Sequence, residues 1–204
     1  MEDLDEDQLD CLGELINVAS GKATARIADI MGAFATMRPP RIALIDTQRF
    51  RDILRDACAP SEGCYLARQV FRGDVSGEVI FLLDQTSAAN IATYLEAQLD
   101  GDNGDDHDDV LLELSNIVTA AMMRELSVQI EARVTLGEPD LQHLSVMSLS
   151  APPQSSRFDQ VIKIETLIEF AEQRIQGRIF IVTHSQCFEW IRCSLNRVLD
   201  DLPS

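Results

Sequence analysis

Basic residues are scarce in this chain. Its 204 residues hold 17 Lys and Arg against 34 Asp and Glu, a formal net charge of −17. With no cationic surplus to displace counterions, the composition argues against a nucleic-acid partner. Histidine is rarer still: His107, His143 and His184 are scattered along the chain, so no metal site is expected. The five cysteines, Cys11, Cys58, Cys64, Cys187 and Cys193, form no CxxC and cannot all pair. Reduced thiols in a cytoplasmic protein are the expectation. Long hydrophobic runs are also missing. The longest aliphatic or aromatic run, VIFLL at 79–83, is far too short to span a bilayer, so no membrane insertion is expected. The chain opens with acids rather than a basic stretch followed by an apolar one, and no secretory signal is visible. Catalytic signatures are absent as well: there is no GxSxG, HExxH or GxxxxGKS/T. SGKAT at 20–24 resembles the tail of a phosphate loop, but it falls inside a helical stretch and lacks the upstream glycine.

What remains is globular. Hydrophobic residues make up 46% and charged residues 25%, ordinary values for a folded domain. The length allows one larger domain or two halves of about 100 residues. Acids crowd 2–10 and 100–109, each time just before an apolar-periodic run, where carboxylates complement the positive end of a helix.

The pattern of elements occurs twice. Residues 8–35 read as a long helix ended by MRPP at 37–40. A strand (41–46), a short helix (49–57), a strand pair (64–71 and 77–84) and a helix (86–99) follow. The second half offers a long helix (109–130), a strand-like stretch ending at Pro139, a further candidate strand at 141–150 and a loop at 151–159. A strand pair (160–170 and 177–184) and a last helix (185–199) close it. DCLGELIN at 10–17 returns as DVLLELSN at 109–116. At an offset of 99 residues Asp10 meets Asp109, Glu14 meets Glu113, Asn17 meets Asn116 and Pro40 meets Pro139; at 100, Gly77 meets Gly177 and Ile91 meets Ile191. This is a duplication. The expectation is a single α/β domain over 1–204, made of repeats at about 8–100 and 109–200 joined by an acidic linker at 101–109. Its two long helices pack on a β-sheet about a pseudo-two-fold axis. Internal symmetry of this kind makes a monomer the expected state.

On a helix of about 3.6 residues per turn, positions 10, 14 and 17 lie within roughly 60° of one another. Asp10, Glu14 and Asn17 therefore form one polar stripe, and Asp109, Glu113 and Asn116 form another. A single stripe needs no explanation beyond a wet helix face. Two stripes at one offset, each followed by a proline 23 residues after the Asn, point to function, because drift scrambles an unconstrained surface. Nothing in either stripe supplies a nucleophile or a metal, as though the rest of the site belonged to a partner.

The pattern D/S-x3-E-x2-N-x22-P, present twice across essentially the whole chain, resembles the CheC/CheX/FliY phosphatases of bacterial chemotaxis. The two-copy, stand-alone arrangement is most similar to CheC. One departure is that SGKAT follows the first Asn while TAAMM follows the second. The resemblance implies a protein substrate, a CheY-like receiver domain carrying an aspartyl phosphate. Such a receiver brings its own Mg²⁺ and lysine, so no cofactor is expected in this chain. It implies that Asn17 and Asn116 orient the attacking water, as a catalytic Gln does in GTPases. Glu14 and Glu113 would meet the receiver's lysine and set the helix in register. Asp10 and Asp109 would tune docking or start the helices, and Pro40 and Pro139 would shape the chain between helix and strand or stop the helices. A CheD-like deamidase is a further implied partner. Two rival readings stand beside this one: a non-catalytic adaptor that sequesters receivers, and a small-molecule-binding domain, which no motif supports.

Overall fold

The first helix begins where its carboxylates are useful. Asp5 Oδ1 accepts from the Gln8 N–H at 2.8 Å, and Gln8 Oε1 accepts from the Asp5 N–H at 3.1 Å. Two donors that the first turn would otherwise orphan are thereby satisfied. The computed structural model describes residues 4–58, 63–96, 107–144 and 160–200. Helix α1 spans Glu6–Met31, followed by β1 (Thr36–Met37), β2 (Arg41–Asp46), α2 (Thr47–Cys58), β3 (Cys64–Gly73), β4 (Gly77–Asp84) and α3 (Gln85–Glu96). The second half contributes α4 (His107–Gln129), β5 (Val134–Leu144), β6 (Gln160–Phe170), β7 (Ile175–His184), a 3-10 turn (Ser185–Cys187) and α5 (Phe188–Asp200).

The strands form one antiparallel sheet in the order β1-β6-β7-β4-β3-β5, with β2 beside β6. Its centre records the duplication. In the β4–β7 pair, Ile80 faces Phe180, Gly77 faces Thr183 and Leu83 faces Gly177. Because β4 and β7 correspond at an offset of 100 residues, Ile80 faces its own counterpart. A pseudo-two-fold axis passes between them. The helical layer obeys the same axis: Arg26 Nη2 lies 3.0 Å from Glu125 Oε1, and these residues are counterparts at offset 99.

Helices α1 and α4 pack together on one face of the sheet. Ile16, Ala19, Ala23 and Ile27 of α1 and Leu111, Leu114, Val118 and Met122 of α4 are fully enclosed, against Phe71, Phe81, Ile168 and Ile179 of the sheet. Burying each of the larger side chains stabilises the fold by about 1.5–3 kcal/mol. The opposite face is covered in part by α2, whose Leu54 and Cys58 meet Leu66, Ile80, Leu82, Phe180 and Val182.

Several expectations are corrected. Helix α1 stops at Met31 because Gly32 adopts the left-handed conformation (φ 60°) and Ala33 N–H returns to Ala28 O at 3.1 Å. A capping glycine, not MRPP, ends the helix. Helix α4 ends alike, with Glu131 at φ 56° and Ala132 N–H bonded to Ser127 O at 2.9 Å. Pro139 does not close a strand. It lies inside β5, which continues to Leu144, so 134–139 and 141–144 are one strand. Residues 107–109, assigned to the linker, already belong to α4. The rest of the linker, the tail of the helix expected at 86–99, residues 145–150 and the loop at 151–159 lie outside the described residues. The thiols are not all reduced: Cys58 at the end of α2 and Cys64 at the start of β3 form a disulfide, their Cα atoms 5.7 Å apart. Cys11, Cys187 and Cys193 are free.

Candidate functional site

The periodicity of α1 and α4 separates core from stripe. Leu12 and Ile16, like Leu111 and Leu114, point into the core, while Asp10, Glu14, Asn17, Asp109, Glu113 and Asn116 are all exposed. Neither Asn is sealed from a visiting surface. The two stripes flank opposite edges of the sheet, α1 beside β1 and β2, α4 beside β5.

Each long helix lies beside an irregular strand edge. In the second half Gln69 pairs with Pro139, but Phe71 pairs with Leu136, so Gly137 and Glu138 share the place opposite Val70. The first half repeats the excess residue: Met37 pairs with Ile168 and Arg41 with Glu165, leaving 38–40 opposite 166 and 167. Each bulge turns a carbonyl inward, and Pro40 or Pro139 follows it. A proline has no N–H to give a ladder, so an edge strand beside a bulge is where one is tolerated. The prolines therefore belong to the strand edge, not to the helix ends.

A buried polar side chain holds each inward carbonyl. Thr166 Oγ1 donates to Arg38 O at 2.6 Å, and Gln69 Nε2 donates to Gly137 O at 2.8 Å. The two are counterparts, since Gln69 pairs with Val79 and Thr166 with Ile179, and Arg38 and Gly137 are 99 apart. They differ in reach. Gln69 Nε2 also donates to Asn116 Oδ1 at 3.2 Å, whereas Asn17, Glu14 and Glu113 make no side-chain hydrogen bond or ion pair among the described residues. Neither Gln69 nor Thr166 stands out in the sequence. Only aligning β3 with β6 at an offset of 97, a value hidden by the longer second hairpin, sets one against the other.

Two groups whose titration is shifted, His184 and Arg68, sit on the other face of the sheet. Burial pushes the His184 imidazole down, and a hydrogen bond to Glu78 holds the Arg68 guanidinium up. Among the described residues no cluster of three or more His, Cys, Asp or Glu could hold a metal, and no helix is long and apolar enough to cross a membrane. The stripes offer carboxamides and carboxylates, that is, hydrogen bonds and negative charge for a partner.

No family model and no curated protein sequence matches the chain. Solved structures do match in fold. FliY of Thermotoga maritima superposes with a TM-score of 0.73 at 14% identity, covering 96% of this chain and 99% of that one. FliM of H. pylori, solved in complex with FliG, gives 0.59 at 12% identity, covering 91% and 100%. The chemotaxis protein CheX of Desulfovibrio desulfuricans gives 0.50 at 13% identity, covering 84% and 99%. The chain has the fold of these FliY- and CheC-type domains, as its repeated motif implied.

Proposed function

We propose that this protein is a phosphatase that removes the aspartyl phosphate from a CheY-like receiver domain in chemotaxis signalling. One observation carries the reading: an exposed Glu–Asn pair, one turn apart, recurs on both long helices, each of which lies against a sheet edge that carries a bulge and a proline. Hydrolysis needs a water placed in line with the bond between phosphorus and the aspartyl oxygen. The receiver supplies Mg²⁺ and a lysine that neutralise the phosphoryl charge, so the visiting protein has only to position that water. The carboxamides of Asn17 and Asn116 offer a donor and an acceptor to hold it. Water attacks phosphorus, the bond to the aspartyl oxygen breaks with its electron pair returning to the aspartate carboxylate, and inorganic phosphate leaves with the water's oxygen and both its protons. Glu14 and Glu113 pair with the receiver's lysine and fix the helix in register, a positioning effect rather than proton transfer.

The test is phosphate release from a receiver phosphorylated with acetyl phosphate. Replacing both amides (N17A with N116A) is expected to return the rate to the receiver's own, a loss of about 100-fold or more, with an unchanged melting temperature. Full activity in that double variant removes the assignment.

A second reading is a non-catalytic adaptor. It draws on the fold shared with FliM, a protein solved in complex with FliG. A receiver or a CheD-like deamidase would then dock on the same stripes without turnover. In that case titration with this protein lengthens the receiver's phosphate lifetime or leaves it unchanged, where a phosphatase shortens it.

A further inference from the structure

Gln69 is only 4% exposed, yet its Oε1 has no partner among the described residues. Burying an amide oxygen without a partner forfeits its hydration and is costly. The local fold does not demand it. In the other half Thr166 secures the bulge carbonyl with a single hydroxyl and leaves nothing unpaired. What the longer side chain adds is the 3.2 Å bond to Asn116.

The orientation of that bond follows from the backbone. At 2.8 Å from Gly137 O, the Gln69 amide must present its nitrogen, because two facing carbonyl oxygens repel. The same nitrogen faces Asn116, which must answer with its own oxygen. Oδ1 of Asn116 is thus turned inward with one lone pair engaged. Nδ2 and the second lone pair remain for whatever docks. Among the described residues Asn17 has no such tether.

We infer that Gln69 is a positioning residue for the second site: it fixes the Asn116 carboxamide in one orientation before the partner arrives, an arrangement the first site lacks. This inference rests on the reading of Asn116 as the water-orienting group. An amide already held need not lose rotamer freedom on docking, so the second site turns over faster than the first.

Two measurements test it. In the N17A background, where only the second site works, Q69T is expected to lower kcat about tenfold with KM unchanged. Q69T has no effect once N116A has silenced that site. The reciprocal T166Q in the N116A background is expected to raise kcat of the first site. Independently of any receiver, the side-chain amide NMR resonances of Asn116 should be displaced from those of a free Asn and return toward them in Q69T. Overturning results are an unchanged kcat in N17A/Q69T, an equal loss in both backgrounds, or Asn116 resonances that match Asn17 and ignore Q69T. A fully active N17A/N116A protein would instead overturn the phosphatase reading, leaving the amide tether to be judged by its resonances.

Discussion

The two halves of this chain meet the same local demands with different side chains. Both long helices end in a left-handed residue, a glycine at 32 but a glutamate at 131. A buried side chain holds the bulge carbonyl in each, a threonine at 166 and a glutamine at 69. Where the helices cross, one half places Arg26 and the other Glu125. A symmetric pair of separate chains would bring each residue on the axis against its own copy, like charge against like. Joining the copies in one chain lifts that restriction, and the Arg26–Glu125 pair uses the freedom. The halves thus share backbone while their side chains have diverged.

Gly77 and Gly177 test how far the equivalence extends. They occupy matching places in β4 and β7, but a Cβ at 77 would lie 2.0 Å from Val182 O, whereas at 177 it would lie 2.2 Å from Phe81 Cε2. A backbone carbonyl in a central strand pair cannot step aside, while an aromatic ring retains some freedom to tilt. Gly77→Ala is therefore expected to destabilise by about 3 kcal/mol or more and Gly177→Ala by less, toward the lower end of the overpacking range. Urea unfolding of both variants decides this. Equal losses would mean that the two hairpins yield in the same way.

The ion pair on the axis is a smaller effect. Its Glu125 side chain is 10% exposed and its Arg26 side chain 40%. Replacing Arg26 with glutamate restores the like-charge meeting of a symmetric dimer, and a loss of about 2 kcal/mol is expected. Exchanging both charges, Arg26→Glu with Glu125→Arg, should recover at least half of it in a double-mutant cycle. A double variant no better than the single one would show that the site responds to side-chain shape and not to charge.

The duplication, both hairpins and both long helices were legible because apolar periodicity is strong there and DCLGELIN and DVLLELSN align without gaps. Boundaries were harder. A proline pair reads as a helix stop, yet Gly32 had already ended α1, since a left-handed cap acts within one residue. Pro139 reads as a strand end because a proline interrupts a ladder, and the bulge at Gly137 and Glu138 that accommodates it has no sequence mark. Cys58 and Cys64 meet because the fold sets the end of α2 beside the start of β3. The stripes themselves were visible as a helical spacing. Gln69 was not, because it reaches Asn116 from a different strand, 47 residues away, and its counterpart is a different amino acid.

The smallest expected difference concerns the two helix ends. A non-glycine residue in the left-handed region is strained by about 1–2 kcal/mol, and Glu131 bears that strain where Gly32 does not. Its side chain returns little: Arg197 Nη1 stands 3.9 Å from Oε2, and both groups are more than half exposed. Glycine at 131 would relieve the strain but widen the unfolded ensemble, offsetting about 0.4–1 kcal/mol. The balance for Glu131→Gly is a gain of about 0.5–1 kcal/mol, read as a rise in melting temperature of roughly 1–4 °C. Gly32→Ala should move the melting point the other way. If Glu131→Gly instead lowers it, the glutamate side chain holds the end of α4 by contacts stronger than its exposed ion pair, and the two helix ends are not alternative solutions to one backbone demand.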